Sequence, residues 1–406
     1  MRYDVDWRDG IDYAGLRRFR HDRVQAAMAK ADLDAVIAFE YANCRYIAGL
    51  RPLWAPNFMV RQAVISVRGS DDVVVFVHQD DTPHRRATMT WVDPGRIRAF
   101  PTGVVSETAP ASALRPIADA LAELGCTGGR IGVDIATVTV LRRLEELLDG
   151  YTVVDANAAL NGSRLVKAST EVDLLRDASA VVDIAMAVAE RAVVPGVREC
   201  DVLAEVMKVF YTHNAEVPQC NLIVCSGPNT APMQRFAGDR MIRRGDLVFM
   251  DIGACFNGIF SEATRTIPCE EPANDTQRAI YRTVYDIHLA TIESLRPGAT
   301  AMDVQAASLK HYADSPFFGR MQEMIIAHGI GVGYAEPPFI APPGKATPDL
   351  VLEPGMVLAV VPTIIVPGVP GGGGVRLEDV VVVTDDGAEV LTTHPYSTSL
   401  LAAPVG

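Results

Sequence analysis

The sequence lacks the long apolar segments that mark membrane-embedded or exported proteins. Its longest apolar runs, such as 73–77 and 380–383, are far shorter than the ~20 residues that a membrane-spanning helix needs. The N-terminal stretch MRYDVDWRDG is charged and contains no apolar core of a signal peptide. We therefore expect a soluble globular protein of the cytoplasm.

Cysteine and clustered positive charge are also scarce. The seven cysteines are scattered without a CxxC pair, so the pattern favours neither a disulfide framework nor a zinc knuckle. The net charge is −13 and the sequence has no basic run, so a nucleic acid or an anionic membrane would be repelled. A small molecule or another protein chain is the expected partner.

The sequence does contain enough apolar material for more than one hydrophobic core. Of its 406 residues, 49% are apolar, which suffices for two domains. A helical pattern at 13–31 comes before five strand-like runs, which are DAVIAF, QAVISV, VVVFV, RIRAF and RIGVD. Strands that alternate with helical stretches predict an α/β layered domain.

A change of pattern near residue 158 marks the expected domain boundary. The stretch LNGSRLVKAST at 160–170 precedes one long helical pattern at 171–194. We therefore divide the chain into an N-terminal domain, 1–158, and a second domain, 159–406.

The second domain carries a faint internal repeat. VPGVRECDV at 194–202 and RPGATAMDV at 296–304 share Pro-Gly and, at the same offset, Asp-Val. RRGDLVFMD at 243–251 and EPGMVLAVV at 353–361 both place a glycine before an apolar strand. The repeat predicts two similar halves, although Pro-Gly also commonly ends helices without any repeat.

The segment DLVFMDIGACFNGIFSEATRTIP, 246–268, predicts a β-hairpin that brings two carboxylates together. Asn257-Gly258 between apolar runs favours a two-residue type I′ turn. Counting outward from that turn places Glu262 opposite Gly253, with Asp251 diagonal to it on the same face. Two like charges at such a distance imply a bound cation, a shared proton or exposure to solvent.

Two later segments supply further groups of the same chemistry. IIAHGIGVGYAEPP, 325–338, contains His328 beside a glycine-rich turn, and GGGGVRLEDVVVVTDDG, 371–387, contains Glu378 at the start of a strand. Each residue alone is more often structural. Together with Asp251 and Glu262 they are an imidazole and three carboxylates, which are ligand types that divalent metals accept.

In this order, the motifs resemble those of the creatinase, aminopeptidase P and prolidase family, which has the pita-bread fold. The motifs are SRLVKASTEVDLLRDAS at 163–179, SGPN at 226–229, MDIGACFNGIFSEATRT, AHGIG, LEPGMV and RLEDVVVVTDDGAEVLT. The resemblance implies an α/β N-terminal creatinase-like domain and an α+β pita-bread catalytic domain with a pseudo-twofold repeat.

The resemblance also implies a metal site that has lost part of its ligand set. Peptidases of the family hold two metals with two Asp, one His and two Glu. The matching positions here are Asp251, Glu262, His328, Val361 and Glu378. Val361 cannot bind a cation, and Glu262 is longer by one methylene than the family's Asp. The implied cofactor is either one divalent cation (Mn, Fe, Zn or Co) or none.

Two further family histidines are replaced, by Gln234 and Ala335. Neither replacement titrates near neutrality, so we expect no ordinary prolidase activity. Within the family, we expect the nearest resemblance to be to ectoine hydrolase, creatinase or dimethylsulfoniopropionate lyase. Creatinase and ectoine hydrolase resemble this chain in plan, lack the full metal set and open C–N bonds of small polar molecules. Our leading hypothesis is therefore a hydrolase of an amide or amidine bond in a non-peptide substrate.

Two alternatives stay open at this point. One is a β-elimination lyase that resembles dimethylsulfoniopropionate lyase, and the other is a residual Xaa-Pro metallopeptidase or a binding protein without catalysis. In each catalytic case the candidate catalytic residues are His328, Glu262, Glu378, Tyr334 and Glu336. The candidate metal ligands are Asp251, Glu262, His328 and Glu378.

The resemblance implies a homodimer in which the N-terminal domain of a neighbouring subunit closes the cleft. Trp54, Phe58 and Arg61 then become candidate substrate contacts, although all three are equally expected as core residues. The remaining substrate-binding candidates are Gln234, Ala335 and Arg376.

Overall fold

The computed structural model of the protein describes residues 10–51, 62–100, 111–218, 222–270, 272–320, 325–342 and 344–402. The chain forms two compact units, Met1–Arg164 and Leu165–Gly406. Within the described ranges no helix is both long enough and apolar enough to cross a membrane.

The first unit is a six-stranded mixed sheet with helices on its faces, in the strand order β4-β3-β2-β1-β5-β6. Its strands are β1 Ala35–Ala38, β2 Ala63–Val67, β3 Val73–Val77, β4 Ile97–Ala99, β5 Gly129–Val133 and β6 Tyr151–Asp155. Its α-helices are α1 Tyr13–Lys30, α2 Tyr41–Ala48, α3 Thr82–Thr88, α4 Arg115–Glu123, α5 Val138–Leu147 and α6 Asn157–Ser163. The five strands expected from the apolar runs are present, and β6 is an additional one.

Apolar side chains are buried on both faces of the central strands. Successive side chains of a strand point to opposite faces of the sheet. Ile65 and Phe76 pack into one apolar cluster, whereas Val64 and Val75 pack into a second cluster. A sheet covered on both faces agrees with the α/β layered domain predicted from the sequence.

The second unit contains two sheets, with strand orders β10-β9-β7 and β12-β11-β13-β16-β17, and a two-stranded ribbon β14-β15. Strand β8 pairs with β9. The strands are β7 Val217–Pro218, β8 Ile223–Ser226, β9 Leu247–Phe256, β10 Ile259–Pro268, β11 Ala327–Gly329, β12 Glu336–Ile340, β13 Val357–Val360, β14 Thr363–Ile365, β15 Gly374–Arg376, β16 Asp379–Val383 and β17 Ala388–Val390. The helices are α7 Ser169–Ala192, α8 Glu199–Thr212, α9 Asp275–Ser294, α10 Ala301–Ala313 and α11 Thr398–Leu401.

The sequence repeat corresponds to two helix pairs, α7–α8 and α9–α10. In each pair the Pro-Gly turn, with Gly196 or Gly298 at positive φ, leads into a helix whose third residue is the shared Asp. Asp201 and Asp303 each accept a hydrogen bond from the backbone N–H of their helix N-cap residue, at 3.1 and 2.8 Å. The repeated motif is therefore a repeated helix start.

The predicted hairpin is confirmed residue by residue. Strands β9 and β10 pair with Phe256 opposite Ile259 and Gly253 opposite Glu262. Asn257 and Gly258 both have positive φ, 52° and 82°, as a type I′ turn requires. Glu262 is thereby fixed within a ten-residue strand that is buried except at its last residue, Pro268.

Candidate active site

Three buried side chains converge in the second unit. They are Glu262 on β10, His328 on β11 and Glu378 directly before β16, and one ligand atom from each lies within 4.8 Å of the others. His328 Nε2 lies 3.1 Å from Glu262 Oε1 and 3.8 Å from Glu378 Oε1. We call these three candidate catalytic residues the catalytic triplet.

Backbone contacts set the orientation of the imidazole. His328 Nδ1 lies 3.0 Å from the carbonyl oxygen of Gly329. Because a carbonyl can only accept, Nδ1 carries a proton and donates it there. Nε2 therefore faces the two carboxylates and is the nitrogen that can hold a second proton or a cation.

Glu378 is held by a contact that also joins the two sheets. Thr264 Oγ1 donates to Glu378 Oε2 at 2.7 Å, and the two residues form an isolated antiparallel β-bridge. Strand β10, which carries Glu262, is thereby joined to the segment that carries Glu378. The spacing of the two carboxylates is set by main-chain hydrogen bonds.

The catalytic triplet retains a proton at neutral pH. Burial, followed by the charge of Glu378, raises the pKa of Glu262 to about 8. Burial alone would lower the pKa of His328, but the neighbouring carboxylates Glu262 and Glu378 outweigh it and raise that pKa well above its usual value. The two shifts are linked, because the charge of Glu262 that raises the pKa of His328 is lost when Glu262 is protonated. At pH 7 the triplet therefore holds a proton between Glu262 and His328 that it can donate.

Asp251 lies beside the catalytic triplet but has a different partner. Its Oδ2 accepts a hydrogen bond from Arg376 Nη1 at 2.6 Å, and its charge contributes to the raised pKa of Glu262. Arg376 also donates through Nε to Thr363 Oγ1 at 2.7 Å. The sequence grouped Asp251 with the other three ligands, whereas in the structure it belongs to a buried ion pair.

A second buried network lies next to Glu378. Asp379 accepts hydrogen bonds from Arg265, His288, Thr392 and Tyr396 at 2.6–2.8 Å. Arg265 also donates to the carbonyl oxygens of Thr264 and Glu378. The charge of Arg265 and the donors around Asp379 outweigh burial and hold the pKa of Asp379 below its usual range. This network fixes the backbone on both sides of the Thr264–Glu378 bridge.

The donor set fits one divalent cation and does not fit two. Glu262 Oε1 is buried and receives no well-directed hydrogen bond from any described residue, and two carboxylates with one imidazole are suitable ligands. For a second cation the site lacks a donor at Val361, whose side chain is apolar and 5% exposed. If the protein binds one cation, Glu262, His328 and Glu378 are the residues that would hold it.

The remaining candidate residues occupy different settings. The Gln234 side chain donates to the carbonyl oxygen of Phe236 at 2.6 Å, and Ala335 is half-buried. Tyr334 is 41% exposed, whereas Glu336 is buried and paired with Lys167 at 3.0 Å. This pairing favours a structural role for Glu336 over the acid–base role suggested by the sequence.

Three predicted substrate contacts, Trp54, Phe58 and Arg61, lie outside the described residues. Sequence reasoning, in turn, missed Lys167, Thr264, Arg265 and Asp379. Each of these stands inside or directly beside a motif already singled out, SRLVKAST, SEATRTIP or RLEDVVVV. The sequence feature that could have identified Thr264, Arg265 and Asp379 is a charged or hydroxyl side chain within an otherwise apolar strand or beside a candidate ligand.

Comparison with known proteins assigns both units to families. Residues 20–166 match the creatinase/prolidase N-terminal domain, and residues 173–385 match metallopeptidase family M24. The solved structure of dipeptidase PepE from Mycobacterium ulcerans has a TM-score of 0.77 and 27% identity, and the match covers 95% of this chain and 98% of that one. These matches confirm the fold class expected from the sequence.

Similar sequences carry several names. A probable dipeptidase PepE of Mycobacterium tuberculosis is 34% identical over 305 residues, which are 74% of this chain and 70% of that protein. A Xaa-Pro dipeptidase of Pyrococcus furiosus is 34% identical over 56% of this chain and 63% of its own length. Creatinase of a Bacillus species is 27% identical over 93% of this chain and 90% of its own length.

These relatives correct one expectation from the sequence. We expected the nearest resemblance to be to creatinase, ectoine hydrolase or dimethylsulfoniopropionate lyase, but the dipeptidases are more similar than creatinase. Both domains match known families, and the buried carboxylate–imidazole site is present. This chain therefore belongs to metallopeptidase family M24 and is a hydrolase of that family.

Proposed function

We propose that this chain hydrolyses the C–N bond of a dipeptide-sized substrate at a single acid–base centre formed by the catalytic triplet. The observation that carries the proposal is the contact of His328 Nε2 with Glu262 Oε1 at 3.1 Å, with Glu378 close by, in a buried setting. Such a group can donate one proton while it accepts another, which is what hydrolysis of an amide needs.

Each member of the catalytic triplet has a distinct part in the reaction. Glu378, held through Oε2 by Thr264, accepts a proton from the attacking water through its other oxygen as the hydroxide adds to the substrate carbonyl carbon. Glu262 is protonated below a pKa of about 8 and gives its proton to the leaving nitrogen as the C–N bond breaks. His328 stabilises the carboxylate that this transfer leaves behind.

A divalent cation, where present, would be held by Glu262, His328 and Glu378. It would polarise the substrate carbonyl and lower the pKa of a bound water. Cation and protons compete for the same oxygen and nitrogen atoms, so cation binding should weaken as the pH falls.

The substrate class follows from the names of the relatives. Two relatives at 34% identity are called dipeptidases, one of them a Xaa-Pro dipeptidase. These names favour a dipeptide over the non-peptide substrate that the sequence led us to expect. This chain also has the creatinase/prolidase N-terminal domain, at residues 20–166.

A second candidate is a small non-peptide amide or amidine, as the name creatinase indicates for a relative that matches nearly the whole chain. The observation that favours it is the apolar Val361 at a ligand position, together with the engagement of Asp251 by Arg376. A site without two cations offers less polarisation of a peptide carbonyl.

The deciding experiment compares turnover of Gly-Pro, Leu-Pro and creatine by the purified protein, first with a chelator and then with added Mn²⁺, Zn²⁺ or Co²⁺. Reactions run in ¹⁸O-water distinguish hydrolysis from elimination. Hydrolysis transfers ¹⁸O to the carboxylate released from a dipeptide or to the urea released from creatine, whereas elimination transfers none. Dipeptide turnover with ¹⁸O uptake supports the proposal. Turnover of creatine alone favours the second candidate, and products without ¹⁸O would contradict both.

A further inference from the structure

The loop that follows His328 is unusually tightly packed. It comprises residues 329–335, which we call the glycine loop, and it carries glycines at 329, 331 and 333. A Cβ at Gly331 would lie 3.0 Å from Lys167 Cε and 3.1 Å from Glu336 Oε1. The loop therefore lies directly against these two charged side chains, where a larger residue would force a shift.

Lys167 and Glu336 form a buried ion pair that holds the glycine loop. Lys167 Nζ lies 3.0 Å from Glu336 Oε1, and the two side chains are only 3% and 4% exposed. The other carboxylate oxygen, Oε2, accepts a hydrogen bond from the Gly333 N–H at 3.3 Å. Buried pairs of this kind are weak sources of stability, so their geometric effect is the more informative property.

The glycine loop is also tied to the strand that carries Glu262. The Phe260 N–H donates to the Gly331 carbonyl oxygen at 2.7 Å, and the Gly331 N–H donates to the Gly333 carbonyl oxygen at 3.0 Å. A continuous chain of contacts therefore runs from Lys167 through Glu336 and the loop backbone to β10.

Tyr334 directly follows Gly333, one of the hydrogen-bonded residues of the glycine loop. Its ring meets the Phe260 ring edge-on, with centroids 6.3 Å apart, and its side chain is 41% exposed. Phe260 stands two residues before Glu262, and alternate residues of a strand share a face. The Tyr334 ring is therefore placed on the Glu262 side of β10, and part of the residue is exposed to solvent.

We propose that Tyr334 selects substrates by packing against an apolar side chain, and that Lys167 and Glu336 are positioning residues that hold it beside the catalytic triplet. This inference rests on the proposed function for the identity of the substrate. In this proposal Glu336 takes part in no proton transfer. The ligand feature that Tyr334 recognises is an apolar or aromatic side chain in a dipeptide.

The first test compares Phe-Pro with Gly-Pro in the Tyr334→Ala variant. Loss of one aromatic contact is expected to raise KM for Phe-Pro about fivefold to tenfold, with little change for Gly-Pro and with kcat within about twofold. Tyr211→Ala, which removes another exposed tyrosine of the same unit, 72% exposed, is the control and should leave both constants unchanged. Equal effects of Tyr334→Ala on the two substrates would overturn the selectivity role.

The second test uses the Lys167→Met/Glu336→Gln double variant, which removes the ion pair without leaving one charge unpaired. Hydrogen–deuterium exchange is expected to accelerate at the amides of Gly333 and Phe260, and KM for Phe-Pro should rise as it does in Tyr334→Ala. A fall in kcat with unchanged KM and unchanged exchange would instead show that Glu336 acts in proton transfer, and would overturn the positioning role.

Failure of the proposed function has a different signature. If the wild-type protein hydrolyses neither dipeptide, the proposed function fails, while calorimetric binding of Phe-Pro and Gly-Pro still measures the effect of Tyr334. Weaker binding of Phe-Pro alone by Tyr334→Ala then supports the inference. Equal binding of both dipeptides by the wild type and the variant would overturn it.

Discussion

Replacing Asp379 by asparagine tests whether the network beside Glu378 is needed for the fold of the second unit. Four donors converge on this carboxylate, from Arg265, His288, Thr392 and Tyr396, at 2.6–2.8 Å. An asparagine of similar size presents an NH₂ group to some of these donors and leaves the Arg265 charge without a counter-ion.

The expected loss follows from the depth of burial. Asp379 is 0% exposed and Arg265 is 2% exposed, and removing one partner of a buried pair typically costs about 3–5 kcal/mol. At an m-value of roughly 2–3 kcal/mol/M, the urea midpoint of the affected transition should fall by about 1–2 M. Circular dichroism during urea titration measures this shift.

The matched control is Asp173→Asn, which breaks an exposed pair with Arg176 in the same unit. Exposed pairs contribute at most about 1 kcal/mol, so its midpoint should move little. The Arg265→Met/Asp379→Leu double variant should recover part of the loss, because it removes both buried charges. A loss below about 1 kcal/mol for Asp379→Asn would refute the reasoning.

The same residue predicts a pH dependence. Because the pKa of Asp379 is held below its usual range in the fold, the unfolded chain takes up a proton first as the pH falls. The stability that this carboxylate contributes is present above about pH 4 and is lost progressively below it. In the Asp379→Asn variant the decline in stability between about pH 5 and pH 2 should be shallower than in the wild type.

Three further substitutions have defined outcomes. Glu262→Gln should lower kcat/KM by about 10²–10⁴-fold, because the proton donor to the leaving nitrogen is lost; activity within tenfold of wild type would contradict that role. Val361→Glu should bind Mn²⁺ more tightly in calorimetry, because it adds an anionic oxygen ligand, and unchanged affinity would count against a cation at the triplet. Gly374→Ala should lower stability by about 1–3 kcal/mol, because its Cβ would clash with the Thr230 carbonyl oxygen, whereas Gly387→Ala, with open space around it, should not.

The hairpin and the strand positions of the site could be predicted from the sequence because they depend on short-range rules. The Asn257-Gly258 turn sets the register of β9 and β10, so the position of Glu262 followed by counting. The repeated helix starts at Asp201 and Asp303 likewise follow from local capping chemistry.

The partners of the charged groups could not be predicted in the same way. Asp251 pairs with Arg376, 125 residues away, and Glu336 pairs with Lys167, 169 residues away. No local pattern encodes which of several carboxylates an arginine or a lysine will meet. The division between a three-residue site and a neighbouring ion pair therefore depended on the tertiary structure.

The Thr264–Glu378 bridge has a consequence for cooperativity. Glu262 lies in the half of the second unit that precedes α9, whereas His328 and Glu378 lie in the half that follows, after α10. The Thr264–Glu378 bridge joins these two halves beside the site. Neither half alone can assemble an active centre, so local opening of either one separates the proton donor from the proton acceptor. Catalytic competence and folding of this unit should therefore be lost in a single transition, and two separately expressed halves should regain activity only when they associate.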